Sequence, residues 1–214
     1  IADRISVMRK GKMIAQMDRE ETYVKQLAQL MVGHEVTSGI RVEPLDIGKP
    51  ILQTEALVVK NEHRLNAVDR IGFTIHEHEI VGIAGVAGNG QKELAEALTG
   101  LIPWSAGEVI FNGEHLESPS VKGLIDKGIA HIPENRMKSG LAGSLGVVEN
   151  LLLKSYRSKG RAKYGVLNKK QNEQWANSLV KSFDVRTPDL QSPVGQLSGG
   201  NQQKLLFARE IDLE

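Results

Sequence analysis

The sequence predicts an α/β fold in which a mainly helical part follows a sheet. Three observations lead to this prediction. Strand-like and helix-like segments alternate between residues 51 and 133, which is typical of an α/β sheet. Within this stretch, the short apolar segment Glu79 to Ala84 leads into a glycine-rich loop and then into a helix through Leu98. From Leu141 to about Leu206 the patterns are mainly helical, which indicates an inserted or appended helical subdomain.

The composition is that of an ordinary soluble globular protein and excludes several classes of function. Of the 214 residues, 40% are hydrophobic and 25% are charged. The net charge of +1 gives no strong overall field to attract nucleic acid or an anionic membrane. There is no cysteine, so disulfides and thiolate metal sites are excluded, which fits a cytosolic compartment. No apolar run approaches the roughly 20 residues that span a bilayer.

A small unit is predicted at the start of the chain. Ile5 to Arg9 and Met13 to Met17 are predicted strands, joined by a hairpin turn at Lys10-Gly11. We expect a helix to begin at Asp18, which has the side chain of an N-cap residue. Gly33 is expected to end that helix.

Turn and cap signals divide the rest of the chain. Asn112-Gly113 predicts a tight hairpin turn, and Asn168 and Ser198 are predicted N-caps of helices. Trp104 and Trp175 are predicted to pack in the interior. Five strands are predicted in this part: Ile51–Lys60, Arg70–Ile75, Glu79–Ala84, Glu108–Phe111 and Ile129–Pro133.

The glycine-rich loop has the pattern of a phosphate-binding loop with two replaced positions. Its candidate binding residues are Gly85, Gly88, Asn89, Gly90, Gln91, Lys92 and Glu93. The consensus G-x-x-x-x-G-K-[ST] places backbone N–H groups and a helix N-terminus around phosphate. Gln91 stands where the consensus has lysine, and Lys92 stands where it has the hydroxyl that ligates Mg²⁺. We therefore expect nucleotide to bind through the backbone alone, without efficient hydrolysis.

Two other interpretations of this loop remain open. It could belong to a dinucleotide-binding fold, although Glu93 stands where G-x-G-x-x-G requires its third glycine. It could also serve only as a tight turn.

Lys92 does not simply replace the missing lysine, because one step along a helix rotates a side chain by about 100°.

A second candidate anion site lies near the end of the chain. Ser198 can cap a helix while Gly199 and Gly200 leave its first N–H groups open, which suits a terminal phosphate. An ordinary capped helix would also contain Ser-Gly-Gly. The full string Leu-Ser-Gly-Gly-Asn-Gln-Gln-Lys, residues 197–204, is much more specific.

Residues 197–204 resemble the signature motif of ATP-binding cassette (ABC) ATPases, in the form typical of importers of simple sugars and nucleosides. Residues 85–93 resemble the degenerate Walker A loop in the second cassette of these importers, and Gln91 is most similar to the nucleoside branch. The resemblance implies a P-loop NTPase ABC cassette. Such a cassette has a RecA-like core, an antiparallel β subdomain and a helical subdomain.

The resemblance also implies how the chain is divided. Residues 1–35 resemble the C-terminal end of a first cassette, and residues 36–50 are interpreted as a linker. Residues 51–214 resemble a second cassette that stops before its Walker B strand, with the helical subdomain at about 141–205. The absence of an initiator methionine and the abrupt end are interpreted as those of an excised fragment.

ABC cassettes pair head to tail, which assigns the candidate residues to two sites. Ser198, Gly199, Gly200, Asn201 and Gln202 would contact ATP held by the first cassette of the same polypeptide or by a dimer mate. The loop from Gly85 to Glu93 would line a weaker site. Glu134, which stands where cassettes have a Mg²⁺-sensing glutamine, is assigned to nucleotide binding or, alternatively, is a solvated loop carboxylate. The Walker B carboxylates and the switch histidine are expected outside this chain, so we expect the chain alone to be inactive.

Several partners are implied by the resemblance. These are transmembrane permease subunits, contacted within residues 134–160, and indirectly an extracytoplasmic substrate-binding protein, with no nucleic acid. The location would be peripheral, on the cytoplasmic face of the plasma membrane, and the cofactors ATP and Mg²⁺. The substrate would be a nucleoside or, alternatively, a simple sugar of the ribose or galactose type. The basic cluster from Arg157 to Lys163 is interpreted as a solvated loop, or alternatively as a contact with the transporter or lipid head groups.

Two rivals come from other classes. A soluble cassette protein acting on ribosomes or DNA would be expected to carry a more basic surface. A dinucleotide-dependent oxidoreductase is disfavoured by the broken glycine pattern.

Overall fold

The computed structural model describes residues 2–33, 45–117, 120–158 and 160–212. The chain divides into two compact units between Asp46 and Ile47. Most of the predicted linker, residues 36–44 of 36–50, lies outside the described residues.

The first unit is a hairpin followed by one helix. Strands β1 (Arg4–Arg9) and β2 (Lys12–Asp18) pair antiparallel, and helix α1 covers Val24–Val32. The hairpin prediction is confirmed: Lys10 and Gly11 have φ of 51° and 74°, the left-handed values that a tight hairpin turn requires. The C-terminal glycine is also confirmed, because Gly33 is left-handed and its N–H donates to the carbonyl of Gln29 at 2.7 Å.

The predicted helix start at Asp18 is wrong. Strand β2 continues through Asp18, whose backbone is extended and whose side chain caps nothing. The Asp18 carbonyl instead accepts a hydrogen bond from the Thr22 hydroxyl at 2.7 Å. A short 3₁₀ turn follows at Arg19–Glu21, and α1 begins only after Tyr23. Pairing with Arg4 of β1 keeps Asp18 extended, so the helix starts six residues later than predicted, at Val24.

The second unit begins with a four-stranded antiparallel sheet in the order β4-β3-β5-β6. The predictions for Ile51–Lys60, Arg70–Ile75 and Glu108–Phe111 are confirmed within longer strands. Asn112 and Gly113 form the expected turn, with φ of 50° and 79°. The strands are β3 (Pro50–Lys60), β4 (Asn66–His76), β5 (Ala106–Phe111) and β6 (Glu114–His115).

Two of the predicted apolar strands are absent. Residues 79–84 and 129–133 have no strand structure and pair with no described strand. Ile80 is 97% exposed and Ile83 is 56% exposed, so the segment that was expected to be buried on both faces is open. A strand exists only where a neighbour supplies ladder hydrogen bonds, and a run of apolar residues does not provide that neighbour.

Helix α2 (Gln91–Leu98) packs on one face of the sheet. Leu94 and Ala97 of the helix join sheet residues in a buried cluster, and Trp104 packs against it as predicted. This packing holds the start of α2, and therefore the glycine loop, against the edge of the sheet. The buried residues from the sheet are Leu57, Val59, Val68 and Val109.

The helical part forms a second core. Its three main helices are α4 (Val147–Ser155), α5 (Lys169–Ser182) and α6 (Gly199–Ile211), with a short helix α3 (Val121–Asp126) before them. A two-stranded hairpin, β7 (Ala162–Lys163) and β8 (Val166–Leu167), stands between α4 and α5. Leu151, Leu179 and Leu205 are in the core, and Trp175 packs against it as predicted. No helix in the described part of the chain is long and apolar enough to cross a membrane.

Both predicted N-caps of this part are confirmed. The Asn168 side chain accepts a hydrogen bond from the N–H of Gln171 at 3.3 Å. The Ser198 hydroxyl accepts one from the N–H of Asn201 at 3.5 Å. Each cap satisfies one of the free N–H groups that begin a helix.

Candidate functional site

The glycine loop connects the open segment 79–84 to helix α2 and is itself exposed up to Asn89. Gly88 and Gly90 have φ of 92° and 91°, which a residue with a side chain rarely adopts. A Cβ on Gly90 would lie 2.1 Å from the carbonyl oxygen of Ala67, so glycine is also needed for close packing on β4. The loop therefore holds its backbone at the helix N-terminus in the position of an anion cradle.

The side chain of Gln91 turns back over this loop. Its Nε2 donates to the carbonyl of Val86 at 3.3 Å, and a Cβ on Gly85 would lie 2.1 Å from the same nitrogen. Lys92 is the next residue along α2, and its Nζ lies 3.7 Å from the Glu96 carboxylate. The Gln91 amide and the Lys92 ammonium are therefore both engaged within the chain.

An open cleft of about 940 Å³ lies beside the loop helix. Gln91 and Lys92 form one wall, and the segment that contains Glu134 and Arg136 forms the other. Glu134 is exposed, and residues 136–140 after it form a single π-helical turn, a feature often found at functional sites. Gln91, Lys92 and Glu134 therefore line one cleft, and their assignment to a nucleotide site stays a prediction.

The second candidate site is the N-terminus of α6. Ser198 and Gly200 are exposed, and a Cβ on Gly200 would contact nothing within 4 Å. The Ser198 hydroxyl accepts from the N–H of Asn201 and from its Nδ2, the latter at 3.0 Å. Because the hydroxyl accepts both bonds, its own proton can be donated outward to an anion. These residues do not line the cleft beside α2.

Gln202 faces the interior and not the open helix end. It is 6% exposed, and its Nε2 donates to the carbonyls of Val194 and Leu197 at 3.2 and 3.1 Å. Its spacing from Leu205 and Leu206, three and four residues on, is a sequence signal for this inward face. Its assignment to the nucleotide site stays a prediction, with the side-chain amide already engaged inside the domain.

Arg136 joins the two candidate sites and was not singled out by the sequence. Its Nε donates to Oε1 of Gln202 at 3.1 Å, and a Cβ on Gly199 would lie 2.5 Å from its Nη2. Arg136 therefore lines the cleft while it also contacts the first turn of α6. No local signal reveals this pairing, because Gln202 lies 66 residues along the chain.

The far end of α6 is held by a buried carboxylate. Glu210 is 3% exposed and accepts hydrogen bonds from the N–H of His131 at 3.0 Å, from Lys154 and from Arg209. Burial lowers the pKa of His131, and the charge of Lys154 adds to this effect. Helix α6 is thus attached at both ends to the segment around Glu134, through Arg136 and through His131.

The fold and the site together define a phosphate-loop α/β protein with a second helix end suited to an anion. A family model described as "ABC transporter" matches residues 68–213. The chain therefore belongs to the ABC transporter family.

Curated relatives match almost the whole chain. The guanosine import ATP-binding protein NupO of Bacillus subtilis is 41% identical over 99% of this chain and 42% of its own length. The glucose import ATP-binding protein TsgD13 of Haloferax volcanii is 37% identical, over 99% of this chain and 39% of its own. The nucleoside import ATP-binding protein NupA of Lactococcus lactis is 34% identical, over 99% and 42%. This chain thus spans about two fifths of the length of these relatives.

A solved structure confirms the fold class. The ADP conformation of MJ1267, an ATP-binding cassette of an ABC transporter, superposes with a TM-score of 0.58. It is 21% identical and covers 76% of this chain and 65% of its own. The α/β cassette fold predicted from the sequence is therefore confirmed.

Proteins of this family use ATP and Mg²⁺. The residues present here suit the phosphates of ATP better than they suit Mg²⁺. The backbone cradle from Gly85 to Gly90 suits a phosphate once the Gln91 amide moves aside. The two positions after Gly90 are Gln91 and Lys92, neither of which supplies the hydroxyl of the consensus. Among the described residues no group of three or more His, Asp or Glu side chains could hold a metal ion.

Proposed function

We propose that this chain is part of the ATP-binding subunit of an ABC importer for nucleosides. In this proposal Ser198, Gly199 and Gly200 clasp ATP that is held on another cassette, either earlier in the same polypeptide or in a dimer mate. The observation that carries the proposal is the open N-terminus of α6, with an outward-donating serine and exposed glycine. Those groups meet an anion but cannot enclose it, so a second surface must complete the site.

The proposal assigns a weaker nucleotide site to the cleft beside α2. Gln91 offers only a neutral amide, and that amide already bonds to Val86 in its own loop. A hydrogen bond to a charged group contributes roughly 1.5–3 kcal/mol, so the replaced lysine lowers affinity by about one to two decades. Glu93 and Glu134 add negative charge near the phosphates. This site would bind nucleotide weakly and would not hydrolyse it efficiently.

The wider assignments belong to the same proposal. Residues 1–35 are the end of a first cassette, and residues 51–214 are a second cassette with its helical subdomain at about 141–205. Permease subunits would bind within residues 134–160, and a substrate-binding protein would act outside the cell. The protein would lie at the cytoplasmic face of the membrane and use ATP and Mg²⁺.

The substrate is assigned from the relatives and from Gln91. NupO and NupA are named for guanosine and nucleoside import, and Gln91 resembles the nucleoside branch. The second candidate is a simple sugar, because TsgD13 is named for glucose import at 37% identity. Uptake of labelled guanosine, ribose and glucose in cells with and without the full-length gene separates them. Loss of sugar uptake with unchanged guanosine uptake would reject the nucleoside assignment.

The proposed contact between Ser198 and ATP is tested in the full-length protein assembled with its membrane subunits. Ser198→Ala removes the outward hydroxyl, and we expect ATP turnover to fall by roughly 10- to 100-fold, the value of a hydrogen bond to a charged group. The matched control is Ser178→Ala, an exposed serine on α5, which should leave turnover unchanged. Equal turnover in both variants would remove the basis of the proposal.

The weak site is tested separately by restoring the consensus. Gln91→Lys with Lys92→Thr should raise the affinity of this site for ATP by about one to two decades. Fluorescent ATP-analogue titration measures this on residues 1–214, which should also fail to hydrolyse Mg-ATP. Hydrolysis by the unsubstituted chain at the rate of an intact importer ATPase would contradict the assignment.

A further inference from the structure

The region from α4 to α5 has an unusual charge pattern that the nucleotide sites do not explain. Between Glu149 and Glu173 no acidic residue occurs, although the whole chain contains 26 Asp and Glu. The same stretch contains seven basic residues: Lys154, Arg157, Lys159, Arg161, Lys163, Lys169 and Lys170. The near-neutral net charge of the chain conceals this local excess.

Four of these cations are exposed; two of them contact aromatic rings, Arg157 that of Tyr156 and Lys163 that of Tyr164. Lys154 is engaged with Glu210, and Lys159 lies outside the described residues. Arg157, Lys163, Lys169 and Lys170 are exposed. These four exposed cations flank or belong to one hairpin, and no acidic residue lies between them in the sequence, so the segment carries a local positive charge that we call the basic hairpin surface.

The tip of the hairpin places apolar side chains among these charges. Tyr164 and Gly165 form the two-residue turn between β7 and β8, with φ of 52° and 81°. Tyr164 is 95% exposed and Val166 is 72% exposed. A two-residue turn of this kind favours Asn and Gly, whereas a bulky aromatic residue is strained there. Asn would form this turn with less strain, so the presence of tyrosine indicates a role for its exposed ring.

The base of the hairpin is fixed to the helical core. Asn172 donates from Nδ2 to the carbonyl of Arg161 at 2.9 Å, and the Arg161 guanidinium lies 3.6 Å above the Trp175 ring. Trp175 in turn donates from Nε1 to Asp212 at the end of α6, at 2.7 Å. The base of the hairpin is therefore fixed by these contacts, while Tyr164 and Val166 at the tip are exposed to solvent.

We propose that the basic hairpin surface binds an anionic lipid bilayer, with Tyr164 and Val166 at the boundary between head groups and acyl chains. Lysines whose apolar stems lie beside an aromatic side chain suit this interface, because the ammonium groups reach the lipid phosphates. Tyr164 and Val166 are 95% and 72% exposed, so the tip itself does not enclose an acidic peptide. A nucleic acid strand would need several stacked rings along a groove, and this tip presents one.

Vesicle binding of the full-length protein, without nucleotide, tests this proposal. Phosphatidylcholine vesicles are compared with vesicles that also contain phosphatidylglycerol. We expect binding only to the mixed vesicles, weakened by salt. Substitution of Lys163, Lys169 and Lys170 by glutamine should lower the partition coefficient about 100-fold, or roughly fivefold per charge. In the matched control variant, Lys10, Lys12 and Lys25, which are also exposed, are replaced by glutamine. This variant should bind the mixed vesicles as the unsubstituted protein does.

The aromatic contribution has its own variant pair. Tyr164→Asn keeps the left-handed turn and removes the ring, so binding should fall several-fold while thermal stability is kept or raised. Tyr164→Trp should retain binding. Equal binding to neutral vesicles, unchanged binding of the triple variant, or tighter binding to an RNA oligomer than to the mixed vesicles would each overturn the proposal.

Discussion

The Nε of Arg136 donates to Oε1 of Gln202 at 3.1 Å, and this bond joins the wall of the cleft to the helix that begins at Ser198. Gln202 simultaneously donates to two carbonyls of the turn before that helix. One buried amide thus fixes the entry of α6 from three directions. The geometry of the clasp depends on this residue even though its side chain does not reach the open helix end.

We expect Gln202→Ala to lower the free energy of unfolding by about 1–3 kcal/mol, because it leaves buried polar partners unsatisfied. Urea denaturation of the second unit measures the change. Gln203→Ala is the matched control, since Gln203 is exposed on the same helix and should change stability by less than about 0.5 kcal/mol. Equal effects of the two substitutions would mean that the buried amide does not hold the turn.

The carboxylate of Glu210 gives a second prediction. Glu210→Ala removes the acceptor shared by Lys154, Arg209 and the N–H of His131, and leaves two cations without their partner. Breaking a buried ion pair in this way costs about 3–5 kcal/mol. Thermal and urea unfolding should show a large loss, whereas the exposed Glu62→Ala should show almost none. A loss below about 1 kcal/mol would indicate that water replaces the carboxylate.

The glycine loop allows a comparison of two positions with the same backbone angle. Gly88→Ala introduces only left-handed strain, about 1–2 kcal/mol, because a Cβ there contacts nothing within 4 Å. Gly90→Ala adds a clash at 2.1 Å with the backbone carbonyl of Ala67, which cannot move without disturbing β4. We therefore expect Gly90→Ala to be clearly more destabilising in a denaturation assay. The reverse order would show that the loop packs differently on the sheet.

The sequence predicted those features that depend on neighbouring residues. The turns at Lys10-Gly11 and Asn112-Gly113 and the caps at Asn168 and Ser198 are all confirmed, because each is formed by residues a few positions apart. The Arg136–Gln202 bond could not be predicted, because it arises from packing between distant segments. The same limit applies to a strand, which needs a partner.

The errors have the same physical origin. Residues 79–84 were predicted as a strand from apolar composition alone, yet Ile80 is 97% exposed and no described strand lies beside it. At Asp18 a cap signal was present, but β2 pairing kept the residue extended. Strand pairing between distant segments decided both cases: it is present at Asp18, which is therefore extended, and it is missing at residues 79–84, which therefore form no strand.

The stability of the fold is expected to fall on the acid side of neutral pH because of His131. Burial lowers the pKa of this histidine, the charge of Lys154 lowers it further, and the carboxylates of Glu210 and Glu96 oppose the shift. In the unfolded chain its pKa is about 6.5, so between the folded pKa and about 6.5 the unfolded state binds more protons. Stability contributed by neutral His131 is therefore full above about pH 6.5 and falls as the pH drops through this window. Denaturation at several pH values should show this loss.

His131→Gln supplies the matched comparison. Glutamine cannot be protonated, while the backbone N–H that donates to Glu210 is kept. The variant should therefore lose less stability than the unsubstituted protein between neutral pH and the acid side of about 6.5. Because stability at neutral pH should be similar in both, the difference isolates the titration of one ring from the packing around it. Parallel pH profiles would show that His131 is solvated in the folded protein and that its burial against α4 and α6 is not maintained in solution.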